Sequence, residues 1–570
     1  MCVYRPRAKN GAAGPFYSRR ANRYLRARPL LANMRASHDY QSGTPRSAFE
    51  VAIAEPVGAA VFVATRELMA LELFRTPCSV VGSGGQSAVE RLWASEDGPE
   101  LLWPSSPADF GPSVSGWLGE DPLTRIPIFA SVVPDAVAEP MLADFGGAWT
   151  AVGSVATTSG DRLGSVWRCE DGSVFLPFDP DELQRNLLSE RYRDLLRRGA
   201  HDWRSAAIRL YYRLRPYMPK ALQIWLRRRY APVQARAPFP RWPAETGLHD
   251  FWEFLYSLLE SLLGSPVPRI APWPNGASWA LVLTHDVETA AGLEAIDAVI
   301  EVERCHGFRS SWNFVPRRDY EVSEERIRGL VSDGFEVGVH GLHHDGRDLE
   351  SLETLRERLP GMREAAFRWK AIGFRSPATQ REWELMPLLG FDYDSSYPDT
   401  DPFEPQGGGC CTWLPFFNGK LVELPPTMTQ DHTLFVILRE PDEAAWVEKA
   451  HFLRSRGGMA LMVTHPDYLT DEVRLDAYRR FLQRFARDTA AWKALPSEVS
   501  AWWRRRAQSS VIWSGSAWHV IGPAAGEASV ACEPAETDWL AVLGADPANV
   551  DGVTRRGDRG AGRDIRLVVD

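Results

Sequence analysis

The chain has 570 residues, of which 44% are hydrophobic and 24% charged, and its formal net charge is −9. At roughly 100–200 residues per domain it is long enough for several globular domains. A net acidic chain excludes nucleic-acid binding as a first reading. The longest apolar runs fall short of the 18 residues a transmembrane helix needs.

Taken in chain order, residues 1–45 come first. Arg5, Arg7, Lys9, Arg19, Arg20, Arg23, Arg26, Arg28 and Arg35 stand in the first 36 residues without a single acid. The segment lacks the apolar run of a secretory signal, so it reads as a disordered extension, or as translation begun upstream of Met34. Residues 46–200 read as an α/β or mixed domain of opaque function. Val57–Ala64 and Ser79–Gly82 suit short buried strands, and Gly164–Leu176 suits a hairpin around Glu170-Asp-Gly-Ser.

Residues 201–245 are a basic linker. Ten Arg and Lys side chains between 201 and 243 face one acid, Asp202, with Trp203, Tyr211, Trp225 and several aliphatics interleaved. The spacing predicts two amphipathic helices broken at Pro216 and Pro219. Two readings stand: peripheral contact with an anionic membrane surface, or helices packed on a neighbour with arginine stems covering apolar surface.

Residues 246–505 alternate apolar strands with helical stretches. The expected strands start at Trp279, Ser310, Phe335, Ala371, Leu421 and Met459. The expected helices cover Ala291–Cys305, Ser323–Ser332, Leu349–Glu364, Arg381–Leu389, Glu440–Arg454 and Asp471–Arg487. Such alternation predicts parallel strands with right-handed crossovers, closing into a distorted (β/α)7-type barrel. Residues 506–570 read as a small β appendage, with a hairpin in Val511–Ile521, and a disordered tail.

Ionisable residues recur just after the predicted barrel strands, the edge where such folds do chemistry. Leu283-Thr-His-Asp-Val-Glu288 ends a buried strand in two acids, Asp286 and Glu288. Gly338-Val-His-Gly-Leu-His-His344 sets His340 and His344 four apart, the separation that puts two imidazoles on one face of a helical turn. Two histidines and a carboxylate are a standard ligand set for a catalytic divalent metal. Gly373-Phe-Arg-Ser-Pro377, Phe391-Asp-Tyr-Asp-Ser-Ser-Tyr397 and Leu461-Met-Val-Thr-His-Pro466 complete the series. A weaker cluster, Asp431 and His432, follows the strand at Leu421 and suits the lining of a substrate groove. Seven cysteines without a CxxC argue against a disulfide framework and a cysteine-zinc site, which points to a reducing, cytoplasmic setting.

In this order and context, the five runs resemble the five motifs of the polysaccharide deacetylase family, the NodB-homology or carbohydrate esterase family 4 domain, over about 225 of the 570 residues. The resemblance implies N-deacetylation of a carbohydrate, such as an envelope or exopolysaccharide precursor, with a divalent metal, zinc first among them. It makes Asp286 the catalytic base, Glu288, His340 and His344 the metal ligands, and Arg375 the partner of the base. His465 becomes the catalytic acid, Asp394 its support and the Ala378 N–H an oxyanion donor. Departures stand at Glu288, where the family has Asp, at His285 and Ala378, where it has aromatic residues, and at Tyr397, which replaces Trp and lines the substrate pocket by position. Two other readings share these residues: an amidase acting on a small molecule, and a silent glycan-binding or scaffold module. Relatives act on exported glycans, so the absence of a signal peptide suggests a cytoplasmic enzyme working at the inner membrane face.

Overall fold

The computed structural model describes residues 61–82, 87–121, 124–198 and 218–544. The basic extension, the start of the strand expected at Val57, the first basic helix of the linker and the tail lie outside the described residues.

The N-terminal part is built on a nine-stranded sheet. Its strands are β1 (Phe62–Ala64), β2 (Cys78–Val80), β3 (Val89–Trp93), β4 (Glu100–Pro104), β5 (Ser113–Leu118), β6 (Ile126–Ser131), β7 (Trp149–Thr157), β8 (Arg162–Cys169) and β9 (Val174–Phe175), in spatial order β2-β1-β3-β4-β9-β8-β7-β5-β6. Only β1–β2 and β4–β9 pair in parallel, so the sheet is mainly antiparallel. The hairpin expected at Gly164–Leu176 forms, with Trp167 opposite Phe175. Asp171 Oδ1 accepts from Ser173 N at 2.8 Å, and Gly172 takes the φ of 96° that this turn demands. Helix α1 (Pro180–Leu188) follows, capped by Asp179, whose side chain accepts from Asp181 N.

Of the linker, Lys220–Gln234 forms helix α2. Arg227 Nη2 donates to Phe403 O at 3.1 Å, Arg228 Nε to Val436 O at 2.9 Å and Gln234 Nε2 to Pro402 O at 2.6 Å. Ala231 packs with Phe403 and Ile437. These contacts favour the docked reading of the linker, although Leu222, Trp225 and Val233 stay exposed. Among the described residues no helix is long and apolar enough to cross a membrane.

Helix α3 (Gly247–Leu263) joins the two halves. Phe251, Trp252, Phe254, Leu255, Leu258 and Leu259 are all buried, a stripe too wide for a surface helix, because the N-terminal sheet packs on it and the second half reaches it where His249 stacks on Trp413, ring centres 3.5 Å apart. Each such side chain contributes about 1.5–3 kcal/mol. Polar contacts register the join. Trp252 Nε1 donates to Gln184 Oε1 at 2.9 Å, and the hydroxyls of Thr76 and Tyr256 lie 2.6 Å apart.

Beyond β10 (Arg269–Ile270) come the strands of a second sheet, curled into a half-barrel and called the barrel below. They are β11 (Trp279–Val287), β12 (Ser311–Phe314), β13 (Glu336–His340), β14 (Gly373–Arg375), β15 (Tyr393–Asp394), β16 (Phe416–Asn418), β17 (Leu421–Glu423), β18 (Met459–Thr464) and β19 (Ala491–Ala494). The order is β16-β17-β15-β14-β13-β12-β11-β18, with β19 also on β11, and every pair except β16–β17 is parallel. Crossover helices α4 (Ala290–His306), α5 (Glu324–Ser332), α6 (Leu352–Trp369), α7 (Ala444–Ser455), α8 (Glu472–Phe485) and α9 (Pro496–Ala507) cover the outside. The helix expected over Arg381–Leu389 does not form. Pro387 leaves only a 3-10 turn at Met386–Leu389, and Arg381 is engaged elsewhere.

The sheet curls but does not close by a ladder between β17 and β18. Thr427 N and Met428 N both donate to Leu461 O, at 3.1 and 3.2 Å. Thr427 Oγ1 donates to Met459 O at 2.7 Å and accepts from Leu461 N at 2.9 Å. One threonine thus stitches a seam where the (β/α)7 expectation put a continuous barrel. After the barrel, β20 (Ser510–Trp513) and β21 (Trp518–Ile521) form the expected hairpin, and β22 (Val530–Ala531) pairs with β10. Among the described residues no disulfide forms.

Candidate active site

The parallel strands deliver their last residues to one edge. Asp286 is the penultimate residue of β11 and Glu288 follows that strand; His340, Arg375 and Asp394 end β13, β14 and β15, and His465 follows β18. Apolar runs put the strands in the core, so the polar residues at their exits fall at the same rim.

Glu288, His340 and His344 each offer one ligand atom within 4.8 Å of the others. His340 reaches this point from the strand, and His344 from a loop. The helical turn expected to align them is absent: Gly341, His344 and Gly346 all have positive φ, and the tight loop turns the second imidazole back onto the first, ring centres 5.0 Å apart. His344 Nε2 lies 2.9 Å from Glu288 Oε1.

His340 Nδ1 lies 3.1 Å from Arg375 O. A carbonyl only accepts, so this nitrogen carries the proton and Nε2 presents its lone pair. That Nε2 is buried and has no hydrogen-bond partner. Burial pushes the imidazole down to about 4, which keeps it neutral at ordinary pH. An unprotonated, orphaned nitrogen facing a carboxylate and a second imidazole is the donor set of a divalent metal site. The residues present therefore fit such an ion.

Asp286 is buried beside this cluster, its Oδ2 3.9 Å from His340 Nε2. Asn313 Nδ2 donates to Asp286 Oδ1 at 2.8 Å, and Arg375 Nη1 lies 3.4 Å from the same oxygen. Burial opposes ionisation of Asp286, but Arg375, His340, His465 and Asn313 outweigh it and hold the carboxyl below its ordinary range. Arg375 is oriented in turn by Thr284 Oγ1 at 2.9 Å and Ser395 Oγ at 2.6 Å. Gly338 makes room for Asn313, since a Cβ there would fall 2.0 Å from Asn313 Oδ1.

His465 stands across the cluster, its Nε2 3.6 Å from Glu288 Oε1. Its support is not the expected one. Asp431 Oδ1 lies 2.7 Å from His465 Nδ1, and Asp431 Oδ2 accepts from His465 N at 2.8 Å. Burial works against charge on His465, yet Asp431 outweighs it and, with Glu288 and Asp286, raises the imidazole to about 10. Asp394 instead accepts from Ser396 N and Oγ, at 2.6 and 2.8 Å, and pairs across strands with Glu423. Asp394 is thereby a wall residue, and Asp431, expected only to line a groove, is the partner of the histidine. Its neighbour His432 does sit near the rim, against Tyr468 at 5.0 Å between ring centres.

Tyr397 is packed inside the wall with Trp383 and Phe416 instead of lining an open pocket. Flanking aromatics give its ring a better environment than water. His285, at the position where the resemblance implies an aromatic residue, stacks on Trp312 at 4.2 Å and contacts Glu303 at 2.7 Å. Ala378 lies in a left-handed turn, φ 54°, immediately after the Arg375-Ser-Pro run.

Sequence reasoning missed Asn313, Thr284, Ser395 and Asp467. Asp467 Oδ2 accepts from Glu288 N at 3.3 Å and its other oxygen takes the Thr289 hydroxyl. A polar Asn inside the apolar run Ser310–Val315 was the available signal for the first. The others look like ordinary loop or strand polar residues until the fold assembles them.

No family model matches this chain, and no curated protein matches it by sequence. Solved structures do. A Mycobacterium smegmatis protein assigned as a polysaccharide deacetylase is 21% identical, covering 41% of this chain and 93% of its own, with a TM-score of 0.35. The allantoinase PuuE is 16% identical, covering 40% and 91%, with a TM-score of 0.33. A family 4 carbohydrate esterase from Streptomyces lividans, solved in complex with acetate, is 13% identical, covering 38% and 93%, at 0.26. Polysaccharide deacetylases and family 4 carbohydrate esterases are thus among the solved structures to which part of this chain is similar.

Proposed function

We propose that the barrel is a metal-dependent hydrolase that removes N-acetyl groups from a carbohydrate, an envelope or exopolysaccharide precursor. The observation that carries this reading is the tautomer of His340: its proton is committed to Arg375 O, so its buried lone pair points at Glu288 and His344, with Asp286 and His465 on either side.

A divalent cation, zinc by its nitrogen and oxygen donors, held by Glu288, His340 and His344, would supply Lewis acidity and acidify water. The chain's own groups do the rest. Asp286, held anionic by Arg375 and Asn313, takes a proton from the water whose oxygen attacks the amide carbon. The Ala378 N–H donates to the oxygen on which negative charge develops. His465, protonated and held by Asp431, gives its Nε2 proton to the nitrogen as the C–N bond breaks, so the amine leaves neutral. Acetate and a free amino sugar result.

The test combines metal analysis of the purified protein with acetate release from N-acetylglucosamine oligomers, with small cyclic amides in parallel. Bound metal with acetate release supports the reading. Turnover confined to cyclic amides would move the substrate class, and a metal-free, inert protein would leave only a binding module.

A further inference from the structure

The N-terminal sheet brings no catalytic motif, yet the segment after α1 delivers one buried anion to the barrel. Glu190 sits in a left-handed conformation, φ 60°, and its Oε1 accepts from Arg381 Nε at 2.6 Å. Both side chains are almost wholly buried, at 4% and 0% exposure. Among the described residues Glu190 is the one carboxylate in ion-pair contact with Arg381. A buried guanidinium is costly to leave without an anion, and Glu190 offsets that cost for Arg381.

Arg381 spends its other nitrogens on the barrel. Nη1 donates to Thr379 O at 2.8 Å and Nη2 to Gln406 O at 2.9 Å. Gln406 returns the grip, accepting from Arg381 N at 3.1 Å and donating to Arg381 O at 2.8 Å. Thr379 and Ala378 are consecutive residues with positive φ, 48° and 54°. Non-glycine residues hold that conformation only where surrounding contacts impose it, at about 1–3 kcal/mol each. The guanidinium is a rigid planar fork, so fixing its Nε fixes where Nη1 holds the Thr379 carbonyl. Two residues beyond Glu190, the Tyr192 hydroxyl donates to Gly409 O at 2.9 Å and accepts from Gly409 N at 3.0 Å, and Arg191 Nη2 between them donates to Glu384 Oε1 at 2.8 Å, so three consecutive residues grip the barrel loops.

We infer that Glu190 is a positioning residue for hydrolysis: through Arg381 it locks the Ala378–Thr379 turn so that the Ala378 N–H faces the developing oxyanion. The inference rests on the deacetylase reading of the site. It also gives the N-terminal part a task, since the barrel's oxyanion donor is then completed from outside the barrel.

The experiment compares the full chain with Glu190→Gln and, because that variant can fail to fold, with Arg381→Lys, which keeps the charge but loses the fork. Losing one oxyanion donor outright costs about 100–1000-fold in kcat, so a displaced donor should cost about 10–100-fold. KM should stay within about threefold and the bound metal should equal wild type, with Glu190→Asp recovering part of kcat. Folded variants with wild-type kcat, or with only KM or thermal stability changed, would overturn the brace while leaving the deacetylase reading intact. A wild type inert on acetylated sugars and on other amides would overturn both.

Discussion

His465 Nδ1 and Asp431 Oδ1 lie 2.7 Å apart, and the second Asp431 oxygen accepts from the backbone N–H of the same histidine at 2.8 Å. One carboxylate therefore fixes both the ring and the strand exit that carries it. Asp431→Asn should cut kcat at least about 100-fold, close to the loss from His465→Ala, since general acid catalysis contributes about 100–10,000-fold. Asp394→Asn should leave kcat within about tenfold and register mainly as lost stability. Steady-state acetate release from the three variants ranks them, and a larger kcat loss in Asp394→Asn would reverse the assignment.

The site separates proton transfer from metal retention. Asp286→Asn keeps the size of the side chain and its contact with Asn313, so metal should remain while turnover falls by at least about 100-fold. His340→Ala removes the one ligand whose tautomer is fixed by a backbone carbonyl, and should release the metal. Metal content measured beside kcat reads the two losses independently, and a fully loaded His340→Ala protein would remove that ligand from the set.

Much of the site was legible because parallel strands announce themselves as apolar runs and the polar residues at their ends mark the rim. Asp286, Glu288, His340, Arg375 and His465 follow that rule. Asp431 does not, because it leaves β17 by eight residues and reaches His465 only where the Thr427 seam folds that segment against β18. The same blindness applies to the fold. Strands of two or three residues such as β15, and the many short pairings of the N-terminal sheet, are set by tertiary contacts, not by periodicity. His340 and His344 show the converse: a helical spacing was realised by a glycine-flanked loop, which brings the same two rings together by another route.

Glu288 carries one methylene more than the aspartate its resemblance implies, and the structure steadies it from behind. Asp467 accepts from Glu288 N at 3.3 Å, Arg318 Nε donates to Glu288 O at 2.9 Å, and Gly292 leaves the space Asp467 fills. Asp467→Ala should weaken metal affinity about 10–100-fold, the usual range for residues that orient ligands, with the metal still bound at saturation. Competition with a chelator of known affinity measures it, and an unchanged midpoint would show that Glu288 holds its place unaided.

Asp181, far from the chemistry, predicts how stability follows pH. It is buried at the start of α1, where burial and then Asp179 raise its carboxyl to about 6 against the opposing Met69 N–H and Arg66. A carboxyl raised in the folded state binds its proton more tightly there than in the unfolded chain. Its contribution is therefore full at low pH and is lost as pH rises through about 6. Asp181→Asn keeps an acceptor for Met69 N but cannot ionise. Relative to wild type the variant should gain about 1 kcal/mol between pH 5 and pH 7.5, since a tenfold difference in proton affinity is worth about 1.4 kcal/mol. Thermal midpoints of both proteins at the two pH values give this difference. An equal gap at both would mean that Asp181 titrates normally and that its hydrogen bond from Met69 and its ion pair with Arg66 offset the burial.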